Sequence, residues 1–108
     1  MKIVMQHGHV VDRKDIESFV EKAPKAWRKA FQTIIVYTAV KDPFQITYHP
    51  KESVLGVHIS RKYPGSASEV IEEIAVASQS IEAHGHIPDK LPKQRDSDYR
   101  KQWIEIRG

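Results

Sequence analysis

Six histidines are spread over 108 residues, and four of them fall in two copies of one tripeptide, His7-Gly8-His9 in MQHGHVV and His84-Gly85-His86 in EAHGHIP. The chain has no cysteine, so thiolate metal sites, disulfides and cysteine nucleophiles are excluded together. Any metal would have to be held by imidazole, carboxylate or water. His-x-His on a strand presents both imidazoles on one face, and a second pair from a helix end could complete a tetrahedral zinc site. That zinc site exists only if residues 7–9 and 84–86 meet. The competing account gives each glycine a backbone task, Gly8 in a turn or bulge and Gly85 as a left-handed helix cap, and expects no cofactor.

Other chemistry-bearing residues form fragments. His58 with Ser60, in VHIS, resembles the His-hydrophobic-Ser element of two-histidine phosphoesterases, a family that uses two such elements where this chain has one. Glu72 and Glu73 in VIEEIAVA sit where a zincin helix carries His-Glu-x-x-His. Here the ligand positions are Glu72 and Val76, valine cannot bind zinc, and the pair is expected to form a solvated acidic face. Lys22, Lys25, Arg28 and Lys29 form one basic row and Arg61-Lys62 a second. Both could contact phosphates, with Trp27, Tyr63, Tyr99 and Trp103 available for stacking. Seventeen Lys and Arg against fourteen Asp and Glu give a net charge of +3, which permits nucleic acid as a partner without requiring it.

Positioning these residues falls to a single globular domain over 1–108, whose length is enough to bury a core without staples. The N-terminus lacks the apolar run of a signal peptide and no stretch is long enough to span a bilayer, so a cytoplasmic protein with no membrane contact is expected. IVM (3–5) and HVV (9–11) are β-prone, either a hairpin turned at His7-Gly8 or one strand with a glycine bulge. Asp12 and Asp15 can cap a helix whose stripe runs Ile16, Phe19, Val20, Ala23, Trp27, Ala30 and Phe31. Pro24 divides it into helices over about 13–22 and 24–32, with a single helix kinked at Pro24 as the alternative.

TIIVYTAV (33–40), apolar on both faces, suits a central strand covered on two sides. FQITY (44–48) and VLGVHIS (54–60) alternate, and the three runs predict an antiparallel meander over 33–60. Ser66 and Glu69 open a further helix that ends near His84, with Gly85 as its cap. Residues 88–98 read as a surface loop, and 99–106 fit either a helix or a strand pairing with the N-terminal one.

The expected fold is therefore α+β, an antiparallel meander of three strands, four or five if the termini pair, with helices on one face. The core is predicted from Ile16, Phe19, Val20, Trp27, Phe31, Ile35, Tyr37, Phe44, Ile46, Leu55, Val57, Ile59, Val70, Ile71, Ile74, Ala77 and Ile81. The order helix, three strands, helix over 13–84 is similar to a double-stranded RNA binding domain. That family holds phosphates with lysines at the start of its last helix, where this chain has Glu69, Glu72 and Glu73. With the N-terminal strand and the divided helix included, the layout also resembles the RelE/ParE toxins. That likeness implies a ribonuclease site near His58, Arg61, Lys62 and Tyr63.

No complete set of nucleophile, base and orienting group is present. The reading is a small non-enzymatic binding or accessory module that contacts a protein or nucleic-acid partner through a polar sheet face (Gln45, Thr47, His58) and a basic edge (Lys25, Lys29, Arg61, Lys62). The alternative is a small hydrolase or ribonuclease, toxin-like or dependent on a metal at His7, His9, His84 and His86, acting on nucleic acid or a phosphoester.

Overall fold

The computed structural model describes residues 1–87 and 93–108, with the backbone alone for 93–97. The chain runs β1 (Lys2–Met5), α1 (Arg13–Lys22), a 3₁₀ turn (Lys25–Arg28), β2 (Thr33–Thr38), β3 (Phe44–His49), β4 (Val54–Ile59), α2 (Ala67–His84) and α3 (Lys93–Arg107). Asp12 and Asp15 form the reciprocal capping box that starts α1, and Pro24 prevents its continuation. The helix expected over 24–32 is reduced to the single 3₁₀ turn, which anchors Trp27 at 5% exposure. Ser66 caps α2, and Gly85, at φ 78°, ends it in the left-handed conformation expected of a C-terminal glycine.

The sheet is α+β in context but is not a meander. Its four strands lie in the order β1-β2-β4-β3, with β1 and β4 both parallel to β2 and only β3 and β4 antiparallel. Burial accounts for this order. On β4, Leu55, Val57 and Ile59 are fully enclosed, and Gly56 is also buried, which suits an interior position. β3 has no fully buried residue and takes the edge. The N-terminal run adds the fourth strand, yet neither the hairpin nor the bulge forms, because the chain leaves β1 after Met5 and turns through Val10 at φ 70°.

Alternation along the strands assigns two faces. Ile34 and Val36 of β2, with Leu55, Val57 and Ile59 of β4, pack against Ile16 and Phe19 of α1 and Val70, Ile74 and Ile81 of α2. β2 is central, and among the described residues only one of its sides is covered, so the predicted core members Ile35 and Tyr37 are half-buried on the opposite face while Ile34 and Val36 are enclosed. Val20, Phe44, Ile46 and Ile71 rim the core instead of filling it.

Residues Ile74 to Ile81 of α2 are all buried, with the sheet on one side and α1, the 3₁₀ turn and α3 on the others. Most polar groups of that stretch bond to backbone, while the buried Gln79 Oε1 has no partner among the described residues. Ser78 Oγ donates to Ile74 O (2.7 Å), and Gln79 Nε2 donates to Ala75 O and Tyr99 O (both 3.1 Å).

Residues 99–106 resolve as helix, and 93–98, expected as loop, belong to the same α3. The part of the expected loop at 88–92 lies outside the described residues. Trp103 of α3 inserts against Phe19 and Trp27, with ring centroids 5.2 and 6.3 Å away. Glu72 and Glu73 are not a solvated acidic face. Arg100 pairs with both, and Arg107 reaches Glu72 (3.7 Å) and Ser68 Oγ (2.9 Å), tying α3 to α2. The antiparallel meander behind the likeness to a double-stranded RNA binding domain is absent, since β2 and β4 run parallel. Among the described residues no helix is long and apolar enough to cross a membrane.

Candidate functional site

The sheet face turned away from the helices is laid out by register as a grid. Tyr37, His58 and Gln45 lie side by side across β2, β4 and β3; the next row is Ile35, Gly56 and Thr47, and the next Thr33, Val54 and His49. Gln45, Thr47 and His58, chosen from sequence as a polar face, thus share one surface. Two further residues join them. Tyr37 lies nearly parallel to the His58 ring, with centroids 4.8 Å apart and planes 15° from parallel. His49, two residues on in β3, also reaches Thr47.

Thr47 Oγ1 is 3.0 Å from His58 Nε2 and 3.2 Å from His49 Nε2. A hydroxyl has one proton to give and lone pairs to accept with, so it can donate to one imidazole while accepting from the other. One ring then carries its proton at Nε2 and the other is bare there. Gly56 makes the arrangement sterically feasible, because a Cβ at that position would come within 2.5 Å of Thr47 Oγ1, 3.1 Å of His58 Nε2 and 3.3 Å of Tyr37. The result is a continuous row, Tyr37, His58, Thr47 and His49, across three strands. Tyr37 escaped the sequence reading because β2 is apolar on both faces, although alternation with Ile34 and Val36 carried the signal. His49 lies one step beyond the predicted end of its strand and continues the Gln45, Thr47 alternation.

Burial, and secondarily the charge of a protonated His49, hold the pKa of His58 below its ordinary value of 6.5. His58 therefore gives up its proton more readily than an ordinary imidazole. In the unfolded chain it takes up its proton more readily than in the fold, so its contribution to stability is present above pH 6.5 and is lost as pH falls through the lower folded value. Thermal melts across that window are expected to show a steeper acid-side loss for the wild type than for His58→Gln. Equal slopes would remove His58 as the cause.

The two His-Gly-His triplets are not brought together. His7 Nε2 donates to Tyr37 O (3.1 Å) and its Nδ1 accepts from the His9 backbone N–H (3.1 Å), so both ring nitrogens are committed to backbone at the carboxyl end of β2. His86 Nδ1 donates to His84 O (3.1 Å) beyond the other end of α2. That helix starts just after β4, at the end of the sheet where His7 lies, and its 18 residues carry His84 about 27 Å away along its axis. Among the described residues no three His, Asp or Glu side chains cluster as a metal would require.

The basic residues are likewise divided. Lys25 and Lys29 precede the start of β2, whereas Arg61 and Lys62 follow the end of β4, and these strands are parallel and in register. The two pairs therefore lie at opposite ends of strands about 20 Å long and do not form one edge. No family profile, curated protein or solved structure matches the chain.

Proposed function

We propose that this protein is a small non-enzymatic binding module that engages a protein partner through the open sheet face. The observation that carries the reading is the linked row Tyr37, His58, Thr47 and His49, an ordered set of aromatic and hydrogen-bonding groups on a face that no described element covers. Half-buried Val4, Ile35 and Val54 extend it as apolar surface beside the polar row. A protein is favoured over nucleic acid because, among the described residues, the only lysine on the grid is Lys2, at its corner, and the two basic pairs Lys25/Lys29 and Arg61/Lys62 lie at opposite ends of the strands.

The test is a photo-crosslinking residue at exposed Gln45, with Glu21 of α1 as control, in the cells that express the protein. One discrete protein adduct from position 45, absent from position 21 and lost with His58→Ala, supports the reading. Crosslinks to nucleic acid, or equal yields from both positions, overturn it.

A second reading, a small ribonuclease or phosphoester hydrolase, draws on the two imidazoles that flank Thr47, one able to accept a proton and the other to give one. No carboxylate contacts either ring to orient it among the described residues, which is why it ranks second. Turnover of a single-stranded RNA oligonucleotide that His58→Ala abolishes would put it first.

A further inference from the structure

We infer that β3 is a self-pairing edge, through which two copies of this chain join into one continuous sheet. The two edges of the sheet are treated differently by the sequence. At β1, Arg13 Nη1 donates to the outward Ile3 carbonyl (2.9 Å), and Lys2 adds an exposed charge, both of which block further strands. β3 reads FQITYH, with no lysine, arginine, carboxylate or proline to guard it.

The hydrogen-bond phase of β3 shows what its edge offers. Ser60 N–H donates to Pro43 O (2.9 Å), so the odd-numbered residues Gln45, Thr47 and His49 point their backbone groups at β4. Phe44, Ile46 and Tyr48 therefore direct theirs outward. Among the described residues, none of those outward groups has a partner. Such a row of alternating donors and acceptors is complementary to another extended backbone.

A second copy supplies that backbone with matched register. An antiparallel pairing about a two-fold axis at Ile46 sets Phe44 of one copy opposite Tyr48 of the other, and Ile46 opposite Ile46. These are the three outward positions, each pair exchanging two bonds for about six in all. Gln45 then falls beside Thr47 of the other copy on the open face, and the paired segment 44–48 carries no charged side chain. Backbone bonds alone fall short of the roughly 800 Å² per partner that stable interfaces bury. A groove of about 870 Å³ runs beside the whole of β3, lined by Ile87 and the buried Val76 and Ala77 together with Glu73 and His86, and leaves room for the incoming side chains on the helix side of the sheet. This pairing does not depend on what the open face binds.

Sedimentation equilibrium of the full chain from micromolar to submillimolar concentration tests it, together with amide hydrogen exchange at both ends of that range. The mass is expected to rise from 12.4 kDa toward twice that value. Protection of the Phe44, Ile46 and Tyr48 amides should rise with it. Ile46→Lys places two charges together at the axis and is expected to weaken association about a hundredfold or more. If that variant fails to fold, the concentration-dependent protection of the three wild-type amides decides alone. A monomer throughout with freely exchanging amides, or a dimer that leaves those amides unprotected or survives Ile46→Lys, overturns the inference.

Discussion

Trp103→Ala is expected to lower the unfolding free energy by about 3–5 kcal/mol, a large part of the roughly 5–15 kcal/mol that a domain of this size holds. Trp103 is 2% exposed and fills the space between Phe19 and Trp27, so its removal leaves a cavity bounded by two aromatic side chains from other elements. It also takes from α3 its one buried anchor among the residues with described side chains. The ion pairs of Arg100 and Arg107 would remain, but such partly exposed pairs contribute at most about 1 kcal/mol each. Urea unfolding followed by circular dichroism measures the loss. Trp103→Phe should cost much less, because the ring contacts largely survive and the buried Nε1–H, which has no acceptor among the described residues, disappears. If the alanine variant loses less than about 1 kcal/mol, α3 is not part of the cooperative core.

Gly56→Val is expected to cost about 1–3 kcal/mol and to dismantle the open-face row together with it. Its Cβ alone would overlap Thr47 Oγ1 at 2.5 Å and press on His58 and Tyr37. Strand propensity would favour valine here, so the sign of the effect tests the packing directly. Of the three neighbours, Thr47 is the one that can rotate away, and doing so breaks its bonds to both His49 and His58. Histidine ring NMR should therefore show both imidazoles shifting together, alongside the loss in urea stability. A stabilised variant with unmoved histidine resonances would mean that the row is looser than its distances imply. Under the proposed function, the same variant should lose the Gln45 crosslink without unfolding.

The division between what local sequence decided and what needed the tertiary structure follows the range of the forces involved. Capping at Asp12 and Ser66, the stop at Pro24 and the left-handed Gly85 are set by hydrogen bonds and sterics within a few residues, and all are legible in the sequence. The alternation that put Gln45, Thr47 and His58 on one polar face is equally local, since a strand repeats every two residues. Strand order is a competition for burial between distant segments. β4 displaced β3 from the side of β2 because Leu55, Val57 and Ile59 bury completely where β3 buries in part, and no count along the chain compares the two.

That one exchange made β2 and β4 parallel, which separated Lys25 and Lys29 from Arg61 and Lys62 and set Tyr37 beside His58. The duplicated His-Gly-His tripeptide shows the limit most plainly. Its spacing is compatible with a metal site, but a helix of 18 residues holds the second copy far from the first, and the first spends both nitrogens of His7 on backbone. Residue types and their local spacing determined which groups this protein carries and on which side of each element they lie. Only the packing of the whole chain decided which of them meet, because contact between distant segments depends on which surfaces the core leaves uncovered.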